Sequence, residues 1–204
     1  MSAWSLRTIK ARDVRTMKKL LQTLIISQME YGSVVWSPAD QKTINAIESV
    51  QKDFTRKISI FQSYNQRAGR ITCNTDYTRR LAKLKLYSLE RRMERYLIFY
   101  MYKYIAGMIP NPGLTHMYDP RRKVYIKPKY CKDAPKWVQD LRNKSMYVRG
   151  PLLYNTLPAT MRELPDMSKT PEANYHSFKN ALDLWLSNIP DRPGMANSIL
   201  KYKA

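Results

Sequence analysis

Apolar residues recur at helical spacing along most of this chain. Val14, Met17, Leu20, Leu21, Leu24 and Ile25, followed by Gln28, stand three and four apart and predict an amphipathic helix opening at Asp13. Gly32 and Pro38 bracket its end. A second stripe, Ile44, Ile47, Val50, Phe54 and Ile58, predicts another helix. Ser37-Pro38-Ala39-Asp40 suits its start. Ser37 is the expected cap, Pro38 fits the first helical position, and Asp40 sits at the positive end of the helix dipole. Phe61 to Thr75 is polar, contains Gly69 and reads as a linker.

Asp76 is expected to cap a third helix holding Leu81 and Leu84. Ser88 is expected to cap a fourth, in which Leu89, Met93, Tyr96, Leu97, Tyr100, Met101, Tyr104 and Ile105 recur up to Gly107. Ile109 to Asp133 is rich in Pro and charge and reads as loop, with a short strand inside Arg121–Lys127. Short helices are expected through Trp137, Val138 and Leu141, and from Pro151 to Leu157. A last helix from Pro171 to Asn188 carries Tyr175, Phe178, Leu182, Trp185 and Leu186, and a frayed tail follows Pro190. The fold class is mainly α: a helical unit over residues 1–60, a linker over 61–75, a second helical unit over 76–190 with an irregular Pro-rich, basic connection, and a tail over 191–204.

Charge changes what this scaffold is for. The 204 residues carry 36 Lys and Arg against 16 Asp and Glu, a net charge of +20. Such an excess repels itself in a compact fold and calls for a polyanionic partner, most often nucleic acid. No transmembrane helix is expected, because no apolar run approaches ~18 residues, and no membrane partner is expected, because no basic amphipathic helix with a clean apolar face stands alone at an end. The N-terminus lacks the apolar stretch of a signal peptide, so an intracellular location, nucleus or cytoplasm, is expected. Cys73 and Cys131 make neither a disulfide scaffold nor, with His116 and His176, an ordinary four-ligand zinc site without carboxylates.

Catalytic chemistry finds no foothold. Two-metal catalysis needs acidic groups clustered about a metal pair, and this chain has no Asp-Asp pair. Glu90 and Glu94 are interleaved with Arg91 and Arg95, which reads as helical salt pairing. His176 and Ser177 are adjacent on a helix and point apart, and His116 has no evident partner. Phosphate-binding glycine loops are absent. No catalytic residue, no metal ligand and no cofactor is expected.

The basic faces are more informative. Cations alternate with tyrosines from Tyr77 to Tyr104, a pattern in which cations contact phosphates and aromatics stack on bases. Tyr96, Tyr100 and Tyr104 lie at helical spacing and are read as core or boundary residues. The candidate phosphate contacts are Lys18, Lys19, Lys52, Arg56, Lys57, Arg79, Arg80, Lys83, Arg91, Arg92 and Arg95. A second cluster, Arg121 to Lys136, is either a backbone clamp or a solvated linker.

Several blocks, in order, resemble one family. Leu6 to Asp13 (LRTIKARD), Met29 to Pro38 (MEYGSVVWSP) and Ile47 to Ile58 (IESVQKDFTRKI) are similar to segments just beyond the catalytic core of non-LTR (LINE-type) retrotransposon reverse transcriptases, most of all the jockey-like branch. So are Tyr77 to Arg92, Phe99 to Gly107, Val148 to Pro158 and Ser177 to Leu182. The chain departs from the family pattern at Arg79, where Glu is usual, and at Tyr154, where Trp is usual.

The resemblance implies a thumb-like helical unit over 1–60 and a post-thumb C-terminal region after it. It implies a fragment or truncated copy without the catalytic palm and its Tyr/Phe-x-Asp-Asp metal motif. It also implies an RNA–DNA hybrid or element RNA as the nucleic-acid partner and a reverse transcriptase palm as the protein partner. A thumb packs against its palm, so the Ile44–Ile58 stripe is expected to be partly exposed here. The expected function is non-catalytic: gripping template–primer or template RNA through basic helices. The alternatives are a basic helical protein–protein interaction module, a stand-alone metal-dependent nuclease, or a decayed transposon copy.

Overall fold

A computed structural model describes residues 13–38, 40–67, 69–193 and 198–201. The resemblance block before Asp13, with Lys10 and Arg12, and the helix-start residue Ala39 lie outside the described residues. The protein is mainly helical. The chain forms two compact units that do not follow the expected partition. Of the described residues, the first unit takes 13–31, 40–90 and 191–193, and the second takes 32–38, 91–190 and 198–201. The main boundary falls at Glu90 and Arg91, not in the expected linker.

In the first unit, α1 (Val14–Leu20) runs through a π-helical segment (Leu21–Ile26) into α2 (Ser27–Glu30). Asp13 caps α1 as expected, accepting the Thr16 N–H at 2.9 Å. Helix α3 (Ser33–Trp36) belongs to the second unit. Helix α4 (Gln41–Thr55) starts later than expected: its cap is Asp40, which accepts the Thr43 N–H at 2.8 Å. Ser37 is instead buried in the second unit, where its carbonyl and hydroxyl both accept from Arg149.

Along the α4 stripe, Ile47 and Val50 stay partly exposed, as expected. Ile44, Phe54 and Ile58 are buried, and the same helix buries Glu48, Gln51 and Thr55. Phe54 and Ile58 join Met17, Leu21, Ile26, Phe61, Tyr77, Leu81 and Leu84 in one core.

Described residues of the expected linker form secondary structure. A 3₁₀ turn (Ser59–Phe61) leads into an antiparallel hairpin of β1 (Ser63–Asn65) and β2 (Arg70–Thr72), with Tyr64 opposite Ile71. Gly69 takes the left-handed conformation (φ 58°) that such a turn requires. Asp76 caps α5 (Tyr77–Leu84) as expected. That helix closes with Lys85 in the left-handed region and the Leu86 N–H reaching back to the Leu81 carbonyl.

The second unit is built on α6 (Leu89–Ile105), whose first two residues belong to the first unit. Its apolar face meets α9 (Pro171–Ser187): Tyr102 stacks on Phe178 at 4.0 Å between centroids, and Phe99 meets Tyr175 edge-on at 5.6 Å. Thr170 caps α9, with Pro171 in the first turn.

The expected loop after Ile109 holds a second hairpin, β3 (Thr115–Asp119) with β4 (Lys123–Lys127). The short strand expected inside Arg121–Lys127 is β4. It rests on α8 (Met146–Asn155), where Asn155 mimics a neighbouring strand by both donating to and accepting from the Ile126 backbone, at 2.8 and 3.1 Å.

Helix α8 opens at Met146, not at Pro151, and follows α7 (Lys136–Lys144). Pro151 cannot donate to the Tyr147 carbonyl, and the Lys129 N–H takes that acceptor at 3.0 Å. The tail after Pro190 is not wholly frayed. Ser198 and the Ile199 N–H both bond the buried Glu94 carboxylate, and Ile199 is itself buried.

Candidate nucleic-acid interface

Arg80 organises the basic end of the first unit. It is 2 % exposed, and its guanidinium donates to the Thr75 carbonyl at 2.6 Å, the Lys52 carbonyl at 3.2 Å and the Thr55 hydroxyl at 3.2 Å. The cation thus lies against the carbonyl-bearing, negative end of α4 and clamps α5 onto it. On the solvent side, α4 ends in exposed Lys52, Arg56 and Lys57, and α5 presents Arg79 and Lys83 one turn apart. The Lys83 ammonium lies 5.9 Å from the Phe61 ring centroid. Arg56 pairs with Asp53 at 3.0 Å, but both are well exposed, so the pair is weak and easily exchanged for a phosphate. On α1, Lys19 is exposed and Lys18 half-buried.

The remaining candidates in the second unit are placed differently. Arg91 is fully buried and donates to the carbonyls of Ile189 and Pro190 at 3.3 and 3.0 Å. Arg95 makes a two-pronged pair with Asp183 at 2.6 and 2.7 Å and lies over the Phe99 ring. Arg92 is half-buried. Arg80 and Arg91, expected as phosphate contacts, are instead buried and hold the fold, and Arg95 is committed to Asp183. Glu94 takes bonds from Ser198 and Ile199 and lies 3.8 Å from Arg149, so its partners extend beyond the neighbouring arginines on its own helix.

No protein-family model, curated protein or solved structure matches the chain.

Sequence reasoning passed over Arg67 and Arg70, which are exposed on the first hairpin beside the exposed Tyr64 and Ile71. Gly69 between Arg67 and Ile71 was the available signal for a turn there. His116, for which the sequence offered no partner, lies with Nδ1 3.0 Å from the Tyr104 hydroxyl. Tyr104 is buried and donates to the Leu114 carbonyl, a core role as expected. Among the described residues, no three His, Cys, Asp or Glu side chains are grouped to hold a metal ion, and no helix is long and apolar enough to cross a membrane.

The first unit also holds a buried carboxylate. Glu48 accepts from the Tyr77 hydroxyl and from the Leu89 N–H at 2.9 Å, while Asp191 accepts from both the backbone N–H and the hydroxyl of Ser88. Ser88, the expected cap of α6, thus spends its hydroxyl donating, and acidic groups meet the positive end of that helix. Burial pushes Glu48 up to about 7, against the opposing pull of its bonds from Tyr77 and Leu89.

The folded state therefore keeps its proton after the unfolded chain has lost it. Stability should fall as pH rises from the ordinary carboxylate range to about 7 and stop falling above that. The loss is about 3 kcal/mol. E48Q, which mimics the protonated acid, should lack this component. Urea midpoints at pH 5 and pH 8 test it, and an unchanged difference between parent and E48Q would refute the assignment.

Proposed function

We propose that this chain is the non-catalytic C-terminal part of a LINE-type, jockey-like reverse transcriptase, and that it grips template–primer or element RNA through basic helices. The carrying observation is the clamped pair α4 and α5, which present Lys52, Lys57, Arg79 and Lys83 to solvent on a support fixed by Arg80. Such cations contact phosphates, release counterions and carry no base information. The ordered sequence blocks support the family, and the +20 charge supports a polyanion. A reverse transcriptase palm is the protein partner in this reading, and the work is done in the nucleus or cytoplasm.

The test is a titration of RNA–DNA hybrid at several salt concentrations with the combined variant K52Q/K57Q/R79Q/K83Q. The slope of log affinity against log salt should fall by about 3 to 4, at ~0.9 per phosphate contact. Affinity should weaken alike for unrelated sequences. Parent-like binding, or a loss confined to particular sequences, would refute the grip.

A further inference from the structure

The second unit contains a cleft that the grip does not use. Gly113, Leu114 and Thr115 form one side, and the segment from Tyr125 to Asp133 forms the other. Its volume is about 720 Å³, within the roughly 300–1,000 Å³ of small-molecule sites. Lys127, Lys129 and Lys132 line it with Tyr125 and Tyr130, and Asp133 is the one carboxylate in the lining. All three lysines are exposed, and Tyr130 is 49 % exposed.

Both walls are pinned by bonds made behind them. On one side, the Asn111 side chain accepts the N–H groups of Gly113 and Leu114 at 2.9 and 3.0 Å, and Tyr104 donates to the Leu114 carbonyl at 2.7 Å. On the other, the Tyr147 carbonyl freed by Pro151 accepts the Lys129 N–H. Arg142, stacked on Tyr147 at 4.3 Å, donates to the Lys129 carbonyl at 2.9 Å. Gln139 donates to the carbonyls of Lys132 and Ala134 at 3.0 and 2.8 Å. The backbone is fixed, Lys127, Lys132 and Tyr130 are exposed, Tyr125 is half-buried, and the Lys129 ammonium reaches the Gly113 carbonyl at 3.5 Å, a contact that a phosphate would replace. A pre-formed cleft of this kind loses little freedom on binding.

We propose that this cleft binds a single-stranded segment of nucleic acid, with a base stacked on Tyr130 or Tyr125 and the flanking phosphates on Lys127, Lys129 and Lys132. Interleaved rings and cations are the chemistry of strand binding without sequence preference. A duplex hides its base faces and leaves the tyrosines nothing to stack on. The site is separate from the α4–α5 grip and stands or falls without it.

The experiment is fluorescence anisotropy of the full chain with a labelled oligouridylate and, in parallel, a labelled RNA–DNA hybrid. Y130A should weaken oligouridylate binding about tenfold, the usual effect of losing one base stack. K127Q/K129Q/K132Q should lower the single-strand salt slope by about 2, at ~0.7 per contact. Neither variant should change hybrid binding by more than twofold. Circular dichroism of both variants should match the parent, since the altered side chains are exposed. Single-strand binding that survives both changes would overturn the site. So would an equal loss for hybrid and single strand, which would mean general charge. Competition by uridine monophosphate as effective as by unlabelled strand would also overturn it, in favour of a mononucleotide pocket.

Discussion

R149M is expected to destabilise the second unit by about 3–5 kcal/mol at neutral pH, the range seen when one partner of a buried ion pair is removed. Arg149 is buried, donates to the carbonyls of Ser37 and Pro38 at 2.9 Å each, and lies 3.8 Å from the Glu94 carboxylate. Methionine fills a similar volume but offers no donor. The two carbonyls lose a bond, and a fully buried carboxylate loses a neighbouring cation.

Burial already raises the Glu94 pKa, with the bonds from Ile199 and Ser198 and the charges of Arg149 and Arg91 opposing. Without Arg149 it rises further. The folded variant then keeps this proton to higher pH than the folded parent does, so its deficit grows once pH passes the parent's own raised value. Urea unfolding at pH 5 and pH 7.5 should show the smaller deficit at pH 5. R149M/E94Q should recover much of the loss at pH 7.5. A deficit below about 1 kcal/mol, or one independent of pH, would mean that the pair does not carry this stability.

R80M should cost the first unit about 2–3 kcal/mol, because it strips donors from two part-buried carbonyls and the buried Thr55 hydroxyl and takes a cation from the end of α4. The side chain spans the Thr75 carbonyl, the Lys52 carbonyl and the Thr55 hydroxyl at once. R80K keeps the charge but cannot reproduce that fork, so it should recover only part of the loss. Under conditions where R80M is still folded, its salt slope on RNA–DNA hybrid should equal that of the parent. An R80M protein of parental stability with a reduced slope would return Arg80 to the set of phosphate contacts.

These arginines mark the limit of what the sequence tells. Helix stripes were legible, and so were the caps at Asp13 and Asp76, because a side chain and the N–H it accepts lie within three residues of each other. An arginine that donates to backbone carbonyls leaves no such mark. Arg91 finds its acceptors at Ile189 and Pro190, and every residue has a carbonyl. Arg95 finds Asp183, 88 positions away.

The hairpins were hidden for another reason. Every residue of β3 is exposed, so the alternation that betrays a half-buried strand is missing there. Ser37 was the expected cap of α4, but Asp40 caps that helix, and the Ser37 carbonyl and hydroxyl accept from Arg149, 112 positions away. The exposed cations of α4 and α5 were legible because they lie off the apolar stripes of their own helices.

The chain's order also bears on how it is made. Ser88 gives both its donors to a carboxylate 103 residues downstream, and Glu94 waits for an N–H 105 residues downstream. During vectorial synthesis, both ends of this long polar traffic cannot exist until almost all of the described chain has been translated. Ser88 and Glu94 must therefore dwell with these polar groups still wet until their C-terminal partners have been translated. Contacts so distant in sequence slow folding. A ribosome-bound chain stopped before Asp191 should thus be held in a protease-sensitive state that the released chain leaves behind.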